Sequence, residues 1–153
     1  NDQFIADSGY GQGQILMNPL QLASIYSSFV NEGSIYQPHI VQGKTKTWIK
    51  NIFSKETSQT IKEDLINVIA DEKGTGHSIY HDNVTLAGKT GTAEIKQSQS
   101  DTTGTELGWF TVMTTDSKQP LLITTMVEDV KDRGGSGYVV EHTKTPLDLY
   151  LSK

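Results

Sequence analysis

The segment Gly88–Glu94, with the sequence GKTGTAE, holds the residue types best suited to chemistry in this chain. In an extended strand, alternate residues face opposite ways, so Lys89 and Gly91 share one side while Thr90 and Thr92 share the other. Lys89 offers a positive charge that can polarise a nucleophile or attract a carboxylate. The hydroxyls and amides of Thr90 and Thr92 can hold a carboxylate or a developing oxyanion. Gly91 leaves room for a ligand to lie against the backbone as an added strand.

Two plainer interpretations of this segment compete with the chemical one. The first is an ordinary strand with a turn-prone KTGT sequence, which those four residues alone do not exclude. The second is the end of a phosphate-binding loop, but that motif requires a glycine five positions before Gly88, where this sequence has Asn83. The residues that follow, Ala93–Ile95, also continue as a strand instead of opening a helix. A nucleotide site is therefore not expected.

Other polar and aromatic residues are interpreted as structural. His77 and His81 have the i, i+4 spacing of a helical metal site, but they follow the loop-forming Gly74–Gly76 and no helix is predicted there. The remaining candidates are given surface or packing roles: the acidic loop residues Glu128, Asp129 and Asp132, the strand-surface Glu94, and the sheet-packing aromatics Trp109 and Phe110. No metal and no organic cofactor is predicted.

Composition limits the kinds of partner that the chain can bind. Its 18 acidic and 13 basic residues give a net charge of -5, which argues against non-specific binding to nucleic acid or to an anionic membrane surface. The absence of cysteine excludes thiol nucleophiles, disulfides and thiolate-bound metals. No apolar run approaches the roughly 18 residues of a transmembrane helix. The first residues, Asn1–Ile5, resemble the interior of a longer sequence, so any targeting segment is expected outside this chain.

Periodic apolar residues predict two helices before the motif. Asn18 is a suitable N-cap with a capping-box partner three residues later, Pro19 fits the first helical position, and Gly33 is suited to end the helix. Ser54 is the predicted N-cap of a second helix that ends at Gly74. The i, i+3, i+4 spacing predicts which residues are apolar contacts. They are Leu22, Ile25, Tyr26, Phe29 and Val30 in the first helix, and Ile61, Leu65, Val68 and Ile69 in the second.

A change to a two-residue period predicts a three-stranded antiparallel meander. Its strands are predicted at 84–95, 107–115 and 121–128, with a flexible connection over 96–106 and a tight turn over 116–120. Elsewhere, the sequence predicts turns at Asp7–Gly13 and 129–137, and a small hairpin or an irregular loop over 35–49. It also predicts a last helix over 138–151 that kinks or restarts at Pro146. The fold class is therefore α+β, with helices packed on a sheet. The exposed edge of this three-stranded sheet predicts that further strands complete it.

Several blocks of the sequence resemble the high-molecular-mass penicillin-binding proteins. The Lys-Thr-Gly at 89–91 matches the third signature of the serine acyltransferases that include these proteins and the serine β-lactamases. The order and spacing of the blocks agree along nearly the whole chain. The blocks are Gly11-Gln12-Gly13, NPLQLA at 18–23, Asn31-Glu32-Gly33, KTGTAE at 89–94, and Gly108-Trp109-Phe110. The chain is most similar to class B enzymes of Gram-positive bacteria, including the low-affinity enzymes linked to β-lactam resistance.

The resemblance implies a fold, an activity and a set of site residues. The fold would be the C-terminal part of the serine β-lactamase and penicillin-binding transpeptidase fold, with 1–153 forming a portion of one domain. The activity would be a D,D-transpeptidase that cross-links peptidoglycan stem peptides ending in D-Ala-D-Ala and is acylated by β-lactams. Lys89 would supply charge near the serine and the substrate carboxylate, which the hydroxyls of Thr90 and Thr92 would bind. The N–H of Thr92 would form part of the oxyanion hole, and Gly91 would permit close approach.

The family's Ser-x-x-Lys and Ser-x-Asn motifs are missing from this chain. No serine here has lysine three residues later or asparagine two residues later. In the family both motifs precede the GQG block, so truncation is expected, with this chain inactive alone and the upstream half of the domain as its partner. A β-lactam sensor domain and a non-catalytic binding module of the same fold remain the alternatives. The resemblance also implies a place outside the cytoplasmic membrane, held by an N-terminal anchor that this chain lacks.

Overall fold

A computed structural model describes residues 2–9, 11, 15–95, 101 and 103–152. Its helices are α1 (Asp2–Gly9), α2 (Pro19–Val30), α3 (Lys55–Ala70) and α4 (Ser136–Leu151), with a short 3-10 helix at His77–Ile79. Its strands are β1 (Ile35–Tyr36), β2 (Thr47–Ile49), β3 (Leu86–Ile95), β4 (Thr105–Thr114) and β5 (Leu122–Val127). Within these residues, no helix has both the length and the apolar character needed to cross a membrane.

The predicted antiparallel meander is confirmed. The strands lie in the order β3-β4-β5, and each neighbouring pair is antiparallel. The tight turn over 116–120 is held by the Lys118 N–H, which donates to the Asp116 carboxylate at 2.8 Å. β4 begins at Thr105, inside the predicted 96–106 connection, and residues 96–100 and 102 of that connection lie outside the described residues.

The sheet packs on helices through both of its faces. One face packs against α4 around Phe110, which is completely buried. The other face packs against α2 and α3 around Met113 and Leu65. Because neighbouring residues of a strand point to opposite faces, β4 fills both cores with consecutive residues. The α+β arrangement predicted from the sequence is therefore the observed one.

Gly108 sets how closely α4 approaches β4. A Cβ built there would lie 2.5 Å from Val139 Cγ2 and 2.8 Å from Val130 Cγ1, and both valines are fully buried. We expect Gly108→Ala to lower the free energy of unfolding by about 1–3 kcal/mol, the usual cost of overpacking a core. Urea denaturation measures this loss. Gly137→Ala is the matched control, since a Cβ there meets no atom of the described residues within 4 Å; an equal loss in both variants would contradict the explanation.

α2 begins and ends as the sequence predicts. Asn18 Oδ1 accepts from the Gln21 N–H at 2.8 Å, and the Gln21 side chain accepts from the Asn18 N–H at 3.5 Å, which completes the capping box. Past the last turn, the Gly33 N–H donates back to the Ser28 carbonyl at 2.8 Å. The predicted apolar residues are only half-buried, whereas Ser24 and Ser28 are buried. Small side chains at these two positions allow α2 to lie close to its neighbours.

The second predicted helix is confirmed as α3, whose first turn is capped by Ser54. Leu65 and Ile69 of its predicted apolar stripe are buried, and the other two members are half-buried. The predicted end at Gly74 is wrong, because the C-cap residue Asp71 is already extended, with φ -71° and ψ 133°. Gly74 belongs to the turn that follows.

The predicted turn at Asp7–Gly13 is wrong in its first part, where α1 continues to Gly9. No glycine or proline interrupts residues 2–8, and Asp2 lies in the first turn, where a negative charge favours the helix. Gly11 does form a turn, with φ 80° and its N–H donating to the Ser8 carbonyl at 3.2 Å. Residues 10 and 12–14 lie outside the described part of the chain.

The remaining elements match the predictions apart from their bounds. Of the two alternatives predicted for 35–49, the structure shows the hairpin, as the short antiparallel pair of β1 and β2. α4 begins at Ser136, two residues before the predicted start, so the glycine-rich loop is shorter than predicted. The helix is continuous through Pro146 and does not restart there.

Candidate binding groove at the edge of the sheet

The GKTGTAE segment lies in β3, which is an edge strand. Within the described residues, β3 pairs only with β4. The Thr115 N–H donates to the Thr85 carbonyl at 3.1 Å, continuing the register of the two strands by one residue. Hydrogen-bonded pairs recur at every second residue of an antiparallel ladder, so the odd-numbered residues of β3 bond to β4. The backbone N–H and C=O groups of Thr90 and Thr92 therefore point away from β4, toward the outer edge.

A groove of about 580 Å³ borders this strand. It is lined by the middle of β3, by β4, by α2 with the segment before it, and by the start of α4. The lining residues are Gly11, Ile15, Met17, Leu22, Tyr26, Lys89, Thr90, Gly91, Thr92, Ala93, Trp109, Thr111 and Ser136. All four of the predicted site residues, Lys89, Thr90, Gly91 and Thr92, border this one cavity.

Lys89 presents its charge at the outer edge of β3. Its side chain is exposed, and Nζ donates to the carbonyl oxygen of Thr90 at 2.8 Å. That carbonyl is one of the groups that point away from β4. The ammonium group therefore lies beside the strand edge, in reach of a ligand in the groove.

The two threonines of the motif are held by different elements. Thr90 is 8% exposed, and its hydroxyl lies 2.8 Å from the hydroxyl of Thr75, in the turn after α3. Thr92 is half-buried, and its hydroxyl accepts from the N–H of Ser136, the first residue of α4, at 3.3 Å. The Thr90 hydroxyl is thus held by the turn after α3, and the Thr92 hydroxyl by the start of α4.

The two glycines of the motif have different surroundings. A Cβ at Gly88 would lie 2.9 Å from Ile69 Cδ1 and 2.9 Å from the Thr111 carbonyl oxygen, so packing alone requires a glycine there. Among the described residues, a Cβ at Gly91 would meet only Trp109 Cβ, at an ordinary 3.6 Å. Packing against these residues therefore does not explain Gly91, whose open side belongs to the groove.

Several groove residues could not be found from the motif. Trp109 was interpreted as sheet packing together with Phe110, and Phe110 is indeed buried, but Trp109 is half-buried and lines the groove. Tyr26, predicted as an apolar contact of the first helix, also lines it, and burial raises the pKa of its phenol. Thr75 and Ser136 carry no local sequence signal, because each reaches the motif only through the fold.

The two histidines do not form a common site. His77 Nδ1 lies 2.9 Å from the Ile69 carbonyl oxygen, whereas His81 Nε2 lies 3.0 Å from Asp148 of α4. Lys144 also contacts Asp148, with Nζ 2.7 Å from Oδ2. Among the described residues, no group of three or more potential ligands could hold a metal ion.

The Asp148 cluster predicts a pH dependence of stability. The hydrogen bond from Lys144, and secondarily that from His81, holds the pKa of the Asp148 carboxyl below its usual value. Stability from a lowered pKa is present above the unfolded-state value and is lost as the pH falls through the folded-state value. We expect Asp148→Asn to cost about 0.5 kcal/mol at pH 7, because the cluster is partly solvated. Urea denaturation at pH 7 and pH 3 measures the free energy of unfolding of both proteins, and the difference between them should be smaller at pH 3. An equal difference at the two pH values would contradict this role of Asp148.

The acidic residues after β5 form the solvated loop that the sequence predicts. Glu128, Asp129 and Asp132 are exposed, and the last two adopt positive φ angles of 57° and 64°. Asp129 accepts a hydrogen bond from the Thr105 hydroxyl at 2.9 Å, which ties the loop to the start of β4. This loop leads into the start of α4, where Ser136 contacts the motif.

The family of the chain follows from comparisons with known proteins. Residues 1–145 match the family model described as the penicillin binding protein transpeptidase domain. The chain belongs to this family, as its resemblance to the class B penicillin-binding proteins predicted. Penicillin-binding protein 3 of Bacillus subtilis is 43% identical over 147 residues, which are 94% of this chain and 22% of that protein. Peptidoglycan D,D-transpeptidase MrdA of Haemophilus influenzae is 25% identical over 166 residues, covering 95% of this chain and 25% of that protein.

Solved structures of the family share the fold. PBPA from Mycobacterium tuberculosis has a TM-score of 0.68 at 18% identity, covering 92% of this chain and 35% of that one. The transpeptidase domain of penicillin-binding protein 3 from Burkholderia pseudomallei has a TM-score of 0.61 at 18% identity, covering 87% and 43%. The α+β architecture is thus that of penicillin-binding transpeptidase domains. The chain spans 22% and 25% of the length of the two curated relatives.

Proposed function

We propose that this chain supplies the substrate-binding wall of a serine-type peptidoglycan D,D-transpeptidase. The observation that carries the proposal is the groove at the outer edge of β3, bordered by Lys89, Gly91 and Thr92. Backbone groups at that edge point outward, and an extended peptide can pair with such an edge as an additional strand. The D-Ala-D-Ala end of a stem peptide is an extended peptide with a terminal carboxylate, which suits an edge beside a lysine.

The reaction would proceed through an acyl-enzyme. A serine hydroxyl, from a part of the domain that this sequence does not include, attacks the carbonyl carbon of the penultimate D-Ala. The serine ester forms, the peptide bond to the terminal D-Ala breaks, and that residue leaves as the free amino acid after its nitrogen takes up a proton. An amino group of a neighbouring stem then attacks the ester, forms the cross-linking amide and restores the serine hydroxyl.

The residues of β3 would act on charge and position. The Lys89 ammonium would stabilise the substrate carboxylate and polarise the network around the serine. The hydroxyls of Thr90 and Thr92 would bind the carboxylate. The outward N–H of Thr92 would donate to the oxyanion that develops on the attacked carbonyl, together with the N–H of the serine itself. Gly91 would let the peptide backbone approach the strand. No step requires a metal or an organic cofactor.

The same groove would accept β-lactams. Their strained amide would open when the serine attacks, and their carboxylate would occupy the position of the terminal D-Ala carboxylate. Residues 1–153 would then be the C-terminal portion of one transpeptidase domain, with the upstream half of that domain as its partner. The full-length protein would act at the outer face of the bacterial cytoplasmic membrane, held by an anchor outside this sequence.

Turnover of a stem peptide by the full-length protein tests the proposal. With a pentapeptide ending in D-Ala-D-Ala and an amine acceptor, we expect free D-Ala and a cross-linked product by liquid chromatography and mass spectrometry. The same pentapeptide with an amidated C-terminus is the control, and it should react more slowly because the carboxylate is missing. Penicillin acylation without peptide turnover would favour a sensor domain instead. The absence of both reactions would favour a non-catalytic binding module.

A further inference from the structure

A turn outside the motif reaches the buried threonine of β3. Thr75 lies between α3 and the 3-10 helix, and its hydroxyl is 2.8 Å from that of Thr90. Thr90 is 8% exposed, whereas Thr75 is exposed. Thr90 borders the groove and Thr75 does not. Thr90 is therefore the groove residue through which Thr75 can act on a ligand.

The turn that carries Thr75 is held firmly on both sides. A Cβ at Gly74 would clash with the carbonyl oxygen of Val68, and a Cβ at Gly76 would lie 3.1 Å from Ile69 Cγ1. The Gly76 N–H donates to the Val68 carbonyl at 3.0 Å. The last turn of α3 thus fixes the backbone around Thr75 relative to α3.

The direction of the hydrogen bond decides what Thr90 can do. A threonine hydroxyl has one proton to donate and two lone pairs to accept with. If Thr75 donates to Thr90, then Thr90 keeps its own proton for a ligand in the groove. The hydroxyl of the neighbouring Thr92 also accepts a hydrogen bond, since the Ser136 N–H can only donate. The hydroxyls of Thr90 and Thr92 would then each accept a hydrogen bond from a residue outside β3.

We propose that Thr75 is a positioning residue that donates its hydroxyl proton to Thr90, which leaves the Thr90 proton for the substrate carboxylate. The inference rests on the proposed function, because that proposal places a substrate carboxylate in the groove. It predicts that Thr75 matters for carboxylate-bearing ligands and not for the stability of the sheet. A role in holding the turn against β3 would predict the reverse.

The test compares acylation of the full-length protein by penicillin and by its methyl ester. We expect Thr75→Val to lower the acylation rate with penicillin about 10-fold, the usual value of one neutral hydrogen bond, and to change the rate with the ester less than twofold. Thr75→Ser should restore the rate with penicillin. In the double variant Thr75→Val, Thr90→Val, the loss should equal that of Thr90→Val alone, because both changes remove the same contact.

The possible outcomes separate this inference from the function on which it rests. If the unchanged protein is not acylated at all, the proposed function fails. The positioning role is overturned if the unchanged protein is acylated and Thr75→Val is acylated equally fast. It is also overturned if the rates of Thr75→Val with penicillin and with the methyl ester fall by the same factor. Lys73→Ala, an exposed change in the same turn, is the matched control and should react normally. Should Thr75→Val fold poorly, Thr75→Ala removes the same hydroxyl with a smaller side chain and is judged by the same criteria.

Discussion

Gly91→Val is expected to abolish most ligand binding while leaving the fold intact. A side chain at this position would extend past Trp109, its cross-strand partner, into the open groove. Valine also favours a strand more than glycine does, so the variant should be at least as stable as the unchanged protein. In the full-length protein, we expect the rate of penicillin acylation to fall at least about 100-fold, because the ligand can no longer lie against β3. Stopped-flow acylation and thermal denaturation measure the two effects.

Gly88→Ala is the matched control for this prediction. A Cβ at Gly88 would press against Ile69 and the carbonyl of Thr111, inside the core and away from the open side of the groove. This variant should lose about 1–3 kcal/mol of stability, the usual cost of overpacking. We therefore expect Gly91→Val to slow acylation without loss of stability, and Gly88→Ala to lose stability. A Gly91→Val protein that is acylated at the normal rate would mean that ligands do not approach this face of β3.

Lys89→Met is expected to lower penicillin acylation on the order of 10²–10³-fold, the range found when one charge-stabilising group is removed from an acyl-transfer site. Methionine keeps much of the length of the side chain and loses the charge. Because Lys89 is exposed and, within the described part of the chain, its Nζ bonds only to the Thr90 carbonyl, the free energy of unfolding should change by no more than about 0.5 kcal/mol. The acylation rate, measured with a fluorescent penicillin, separates a lost charge from a lost fold.

Lys89→Arg sharpens the test of this charge. Arginine keeps the positive charge, but its planar fork differs in shape and reach from an ammonium group, so we expect only partial recovery. If Lys89→Met reacts within about threefold of the unchanged protein, Lys89 does not act on the reaction. If Lys89→Met and Lys89→Arg are equally slow, the size of the side chain matters more than its charge.

Sequence patterns predicted the elements of this fold because their signals are local. The capping box at Asn18 and the N-cap at Ser54 each involve residues only three positions apart. The three strands follow from a two-residue period, and the short turn at 116–120 leaves little choice for their order. The errors occurred where local signals were weak or competed. At Asp7–Gly13, the glycines obscured a helix that ends at the first of them.

The contacts that shape the groove could not be predicted, because they join distant parts of the chain. Thr75 and Thr90 are 15 residues apart, and Thr92 and Ser136 are 44 apart. No sequence pattern around Thr75 or Ser136 indicates that either residue contacts the motif. The difference between Gly88 and Gly91 was equally hidden, since it depends on which atoms of α3 and β4 lie nearby. The motif alone therefore predicted which groups could take part in chemistry, whereas the residues that hold those groups in place are evident only from the fold.

We propose that this chain provides the binding wall of the active site and not its nucleophile. Intact mass spectrometry after long incubation with excess penicillin tests this proposal, on the 153-residue chain and on the full-length protein in parallel. We expect no adduct on the chain, and one adduct per molecule of the full-length protein, on a serine outside this sequence. A stoichiometric adduct on any serine of this chain would contradict it.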